Sequence, residues 1–159
     1  MNNIKTFENF NNQDIFTYVE DGNIQLVKNY INSGYDLNIQ NYNDDGYTPL
    51  IYAILKDNIE IVELLLNAGA DIDKQDNNGY TALIYAAYDN NRNVIELLLD
   101  YHADEFILSV RDGSFYDILN DENKQYFLKE YPNKVYNAIL YRYEKPFIEF
   151  VKDYKLKIS

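Results

Sequence analysis

The chain has 159 residues, 47% of them hydrophobic and 16% aromatic, which is enough apolar material for one folded unit and too much for a disordered chain. It has no cysteine, so disulfides, thiolate metal sites and cysteine nucleophiles are excluded. The net charge of -12 comes from the residues up to Asp104, which include 17 acidic and 5 basic side chains. Because such a surface repels phosphate, we expect neither a nucleic-acid nor a membrane partner, and we favour a protein partner with a basic surface.

The first predicted elements are two short helices, one over residues 14–19 and one after Gly22-Asn23. Together they form an atypical N-terminal unit, about residues 13–42, as is usual where one side of a repeat array faces water. Two extra residues near Tyr42 and Asn43 should lengthen the loop that follows this unit.

Residues 43–75 and 76–108 are two copies of one sequence at an offset of 33. Fourteen of 29 aligned positions are identical, where composition alone gives roughly two. In the first copy Thr48 is a good N-cap, and Pro49 suits the first turn of a helix. A second helix, with apolar residues on two sides, follows and should end at Gly69, where the chain turns left-handed. Each unit is therefore predicted to be a helix, a second helix and a hairpin finger.

These motifs resemble the ankyrin repeat, through Gly46-Tyr47-Thr48-Pro49-Leu50, Ile61-Val62-Glu63-Leu64-Leu65-Leu66 and Gly69-Ala70-Asp71. The resemblance implies an all-α ankyrin-repeat solenoid, in which Leu65 and Leu98 are buried between neighbouring units. This chain departs from the family where Ile51 and Ile84 replace the usual histidine, so packing should replace the hydrogen bonds of that histidine. His102 replaces the glycine of the second copy, which predicts a less relaxed or differently shaped helix end.

The pattern decays after Asp104, and we divide the chain into repeats at 1–110 and a degenerate last repeat with a helical C-terminal extension at 111–159. Arg111-Asp112-Gly113 resembles another finger tip, and Asp117-Ile118-Leu119 resembles the helix after it. Further helices are predicted from Asp121 to Glu130, from Lys134 to Tyr143 and from Pro146 onward. This aromatic extension is expected to cap the stack, with docking of a partner as the alternative.

The resemblance also implies a binding surface made by the fingers and by the exposed side of each first helix. Carried onto this chain, the partner-binding positions are Asp44, Asp45, Tyr47, Leu55, Lys56, Asn77, Asn78, Tyr80, Tyr88 and Asp89. Tyrosine suits such surfaces because it combines a large contact area with a polar tip. The alternative is that Tyr47 and Tyr80 only cover their own hairpins.

The leading functional hypothesis is therefore a cytoplasmic protein-binding module, acting as an adaptor, a sequestering protein or an inhibitor. The alternatives are a self-associating structural protein that uses its C-terminal aromatic helices, and an enzyme hidden in that region. We expect no cofactor and no metal, because His102 is the only histidine and Asp71, Asp73 and Asp76 do not have calcium-loop spacing. A monomer is favoured.

Overall fold

The computed structural model describes residues 14–109 and 113–136. Residues 132–136 are helical, and eight further helices precede them in chain order. These are α1 Asp14–Glu20, α2 Ile24–Asn32, α3 Pro49–Leu55, α4 Ile59–Asn67, α5 Ala82–Tyr88, α6 Arg92–Asp100, α7 Phe115–Ile118 and α8 Asp121–Glu130. Over these described ranges the extended pairing consists of two isolated bridges, Asn41 to Tyr47 and Ser109 to Gly113. The described chain is all-α, as predicted.

The helices form a row of helical pairs. Helices α1, α3, α5 and α7 contact one another in that order, and each of the first three also contacts the helix that follows it in the chain. Helix α2 contacts α4 in a second layer. The predicted side-by-side arrangement of 33-residue units is therefore confirmed.

Capping side chains set where the helices begin. The Oγ1 atoms of Thr48 and Thr81 accept hydrogen bonds from backbone N–H groups three residues later, as the sequence predicted. The second helices are capped by side chains that sequence reasoning missed, namely those of Asn23, Asn58 and Asn91. Helix α3 ends at Leu55, so Asn58 lies beyond it and begins α4.

The core lies between the units. Leu65 and Leu98 are both fully buried, which confirms their predicted role. Ile51 and Ile84 are buried as well, so apolar packing fills the place where the family has its histidine. Each buried aliphatic side chain of this size contributes about 1.5–3 kcal/mol relative to an exposed one.

His102 ends its helix in the same conformation as the glycines at equivalent positions. Its φ is 66°, against 74° for Gly34 and 88° for Gly69. The N–H of Ala103 donates to Leu98 O at 2.9 Å, and that of Ala70 donates to Leu65 O at 3.0 Å. The sequence predicted that His102 would make the helix end either less relaxed or differently shaped. The end has the usual shape, and His102 is strained in it because it carries a Cβ in the left-handed region.

The unit after α6 keeps more of the pattern than the sequence indicated. Ser109 N donates to Gly113 O at 2.9 Å, which is the kind of backbone pairing that Asp76 N makes with Tyr80 O in the unit before. Ser114 lies 33 residues after Thr81 and begins α7, where Asp117 accepts from both its N and its Oγ. We had missed this substitute for the threonine.

Helix α8 has its predicted bounds and is held against α6 by polar and aromatic contacts. The Arg92 guanidinium donates to Asn123 Oδ1 and lies 4.1 Å from the Tyr126 ring centroid, while the Tyr126 hydroxyl donates to Glu96. Phe127 is fully buried. These contacts hold α8 against α6.

The next helix begins at residue 132 and not at Lys134, because proline is tolerated in a first helical turn. Val135 in this helix is buried. The rest of this helix and the one predicted from Pro146 lie outside the described residues. Capping by the whole extension, and the division of the chain at residue 110, stay predictions.

Candidate protein-binding face

Two hairpin fingers stand side by side. Asn41 N donates to Tyr47 O at 2.9 Å in the first, and Asp76 N donates to Tyr80 O at 3.0 Å in the second. The first finger thus closes over two more residues than the second, as the predicted insertion requires. Asn77 N donates to Asp45 O at 2.9 Å, which joins one finger to the next.

Glycine permits this close approach of the fingers. A Cβ atom on Gly46 would lie 2.5 Å from the side-chain oxygen of Asn77, and the φ of Gly46 is 76°. A larger residue would be strained in its backbone, and the amide end of the Asn77 side chain would have to move aside. The hydrogen bond from Asn77 N to Asp45 O sets the spacing of the fingertip residues Asp45, Asn77 and Asn78, and all three are exposed.

Six aromatic rings run from the first unit to the third, and we call them the aromatic row. Centroid distances between successive rings are 5.6, 6.4, 5.5, 5.7 and 5.8 Å, with edge-to-face or tilted geometry throughout. In order the rings are Phe16, Tyr52, Tyr47, Tyr85, Tyr80 and Tyr88. The row links first helices to fingers across three units.

Carboxylates hold two tyrosines of the aromatic row, Tyr52 on α3 and Tyr85 on α5. The Tyr85 hydroxyl donates to Asp76 Oδ2 at 2.7 Å, and the Tyr52 hydroxyl donates to Asp44 Oδ2 at 3.3 Å. Burial raises the pKa of both phenols, and the neighbouring carboxylates raise it further. Both hydroxyls are therefore protonated donors at neutral pH, and their rings are oriented before any partner arrives.

This arrangement changes the interpretation of three predicted contact residues. Asp44 also accepts from Asn41 Nδ2 at 2.9 Å, so its carboxylate is part of the finger's own bonding. Tyr47 and Tyr80 are half-buried and both pack against Tyr85. Tyr47 therefore reaches the next unit and does more than cover its own hairpin, although this does not test whether it contacts a partner.

The residues that end the first helices are more exposed. Leu55 at the end of α3 is 39% exposed, and Tyr88 at the end of α5 is 44% exposed. Each is followed by an exposed charged residue, Lys56 or Asp89. These four positions are accessible to a macromolecule.

Lys56 is engaged within the chain. Its Nζ lies 2.7 Å from Glu20 Oε1, in the preceding unit, and 5.5 Å from the Tyr52 ring centroid. The hydrogen bond with Glu20 raises the pKa of the Lys56 ammonium, which is charged at neutral pH. A lysine on this face is thus held by a carboxylate and a tyrosine ring together.

Sequence reasoning missed Tyr42, which is 80% exposed in the first finger. The signal was available, because we had placed the two-residue insertion at this position and a lengthened finger tip faces solvent. Glu20 was missed for another reason. Its place beside Lys56 depends on how α1 stacks on α3.

Asp71 and Asp73, which were considered as part of a calcium loop, accept hydrogen bonds from backbone N–H groups of the repeats. Asp71 Oδ1 accepts from Asp73 N at 3.1 Å, and Asp73 Oδ1 accepts from Asp104 N at 2.8 Å. Within residues 14–109 and 113–136, no group of three or more His, Cys, Asp or Glu side chains is arranged to hold a metal ion.

In the same ranges, every helix is too short or too polar to cross a bilayer.

A family model described as ankyrin repeats, in three copies, matches residues 15–107, which is more than half of the chain. The match covers the three units that contain α1 to α6 and the aromatic row. A search of curated proteins finds no match. Ankyrin repeats are generally protein–protein interaction modules and are typically non-enzymatic. The sequence repeat, the stacked helical pairs and this match agree: the chain belongs to the ankyrin-repeat family.

Proposed function

We propose that this chain binds another protein through its finger side, as an adaptor, a sequestering protein or an inhibitor without enzymatic activity. The binding surface consists of the fingertips and the ends of the first helices, flanking the aromatic row. The observation that carries the proposal is the row itself, which ends in the exposed ring of Tyr88 packed against Tyr80, with Leu55 exposed at the equivalent helix end of the preceding unit. Rigid aromatic contacts of this kind contribute much of the affinity at protein interfaces.

The carboxylates of the chain favour binding over catalysis. Acid–base chemistry requires a carboxylate with a shifted pKa that can reach a substrate. Burial raises the pKa of the Asp73 carboxyl, but its Oδ1 already accepts the N–H of Asp104. The exposed fingertip carboxylate of Asp45 lies in water, where it suits recognition of a positive charge.

The test is selection of binders from a display library of random linear peptides against the full chain. Selected peptides are then measured against the double variant Leu55→Ser with Tyr88→Ser. The matched control is Ile59→Ser with Leu128→Ser, because these side chains are similarly exposed, at 37% and 41%, but lie on α4 and α8.

We expect the finger-side variant to lose at least about tenfold in affinity and the control to stay within about twofold. Equal losses in both variants, no loss in either, or a selection that gives no binders would reject this face. Tyr47→Ala and Tyr80→Ala are unsuitable for the test, because both rings pack against Tyr85 and their removal would also change stability.

A further inference from the structure

The helix ends of the three units are equivalent positions with different side chains. Glu20, Leu55 and Tyr88 are the last residues of α1, α3 and α5. The next positions are Asp21, Lys56 and Asp89. Charge at this second position therefore alternates along the stack, from negative to positive to negative.

The middle unit shows how this face holds a cation. Lys56 follows Tyr52 by four residues, which places its ammonium over the ring at 5.5 Å. Glu20 of the preceding unit completes the arrangement with a 2.7 Å ion pair. The contacts are those that a bound lysine side chain would make.

The third unit repeats the ring but reverses the charge. Tyr85 precedes Asp89 by four residues, as Tyr52 precedes Lys56. Tyr88 takes the place of Leu55, and its ring lies 5.8 Å from that of Tyr80. Tyr88 and Asp89 are both exposed. A carboxylate and aromatic surface thus stand where the unit before carries its own ammonium group.

We propose that the third unit binds a lysine or arginine side chain of the partner, held between the Asp89 carboxylate and the rings of Tyr85 and Tyr88. The inference rests on the proposed function and names its partner class, a protein segment with an exposed basic residue. The tyrosine faces carry partial negative charge, and Asp89 supplies a full one, so both attract a cation. The Asp45 carboxylate on the adjoining finger adds to the same negative potential.

The chain supplies its own matched variant. Asp89→Lys places an ammonium group where the second unit has Lys56, at a helix C-cap that already accepts lysine there. Asp100→Lys makes the same change of charge at the exposed end of α6, in the other layer of helices. Both variants should melt at nearly the temperature of the parent chain.

The experiment repeats the peptide selection with the parent chain and both variants, counting lysine and arginine in the selected peptides relative to the starting library. We expect enrichment for the parent and for Asp100→Lys, and its loss for Asp89→Lys. A peptide selected on the parent should bind Asp89→Lys about tenfold more weakly, while replacement of its basic residue by glutamine should cost about as much.

The outcomes separate this inference from the proposed function. Peptides that depend on Leu55 and Tyr88 but show no basic enrichment, or that tolerate Asp89→Lys, would overturn the cation site and leave the binding face intact. Equal losses in Asp89→Lys and Asp100→Lys would also overturn it, because they would reflect net charge alone. A selection that gives no binder at all would overturn both proposals.

Discussion

Replacing His102 by glycine should stabilise the protein. His102 has a φ of 66°, in the left-handed region that Cβ-bearing residues disfavour, and it occupies the place of Gly69 one unit later. Both residues make the same turn, since His102 N donates to Leu99 O at 3.1 Å and Gly69 N donates to Leu66 O at 3.0 Å. The reciprocal change, Gly69→Ala, should therefore destabilise it.

The magnitude follows from two opposing terms. Holding a residue with a Cβ in the left-handed region costs about 1–2 kcal/mol. Glycine offsets part of that gain, because the freedom it adds to the unfolded chain costs about 0.5–1 kcal/mol. The free energy of unfolding should rise by about 0.5–1 kcal/mol in His102→Gly and fall by a similar amount in Gly69→Ala. No atom lies within 4 Å of a Cβ built on Gly69, so the backbone alone sets this cost.

Urea denaturation followed by helical circular dichroism measures both changes, provided the m-value stays constant. His102→Ala serves as the control, because it removes the imidazole but keeps the Cβ and should leave stability nearly unchanged. If His102→Ala stabilised the chain as much as His102→Gly, the ring and not the backbone would be the source of strain. A loss of stability in His102→Gly would refute the reasoning outright.

Three further predictions concern the core, a cap and alkaline pH. Leu65→Ala should cost about 2–5 kcal/mol in denaturant, because Leu65 is fully buried, whereas exposed Leu55→Ala should change stability by about 0.5 kcal/mol or less. Thr48→Ala should cost about 1 kcal/mol and Thr48→Ser much less, since serine keeps the capping oxygen; equal losses would contradict this. Burial, helped by Asp36, raises the pKa of Tyr30 from 10.0 to about 12, so stability should be full below pH 10 and fall as pH rises toward 12. Tyr30→Phe should weaken that fall between about pH 10 and about pH 12, and an unchanged slope would exclude Tyr30 as its source.

The tyrosines on the finger side have two kinds of role. Tyr47 and Tyr85 join neighbouring units by an edge-to-face contact at 5.5 Å, so they stabilise the stack whether or not a partner is bound. Tyr88 ends the aromatic row and is more open to solvent. Substitutions at Tyr47 would therefore mix folding with binding, while those at Tyr88 separate them.

Local signals explain which parts of the fold could be predicted. Thr48 and Pro49 mark a helix start by short-range chemistry, and Leu65 lies on an apolar stripe of helical period. Ser114 was missed because serine is a less distinctive mark than the Thr-Pro pair, and its hydroxyl donates to the Asp117 carboxylate where the Thr48 hydroxyl accepts a backbone N–H. The capping role of Asn58 was missed because asparagine suits both a cap and a turn.

The candidate site was predicted in outline but not in its internal contacts. Repetition placed Tyr47, Tyr88 and Asp89 on one side, since each unit repeats its predecessor. Which of these side chains are buried depends on how the next repeat unit packs against them. Asp44 was expected to face a partner, yet its carboxylate accepts from Tyr52 across the base of the finger.

From the sequence alone follow the period of 33, the helical pairs, the buried leucines and the acidic character of the first three units, because these are periodic or additive properties of the chain. Tertiary structure decides the pairing of Lys56 with Glu20 and the order of rings in the aromatic row. The physical reason is distance along the chain. The contacts between units, such as Glu20 with Lys56 and Tyr47 with Tyr85, join residues that are distant in the sequence, and their geometry is set only when one unit packs on the next.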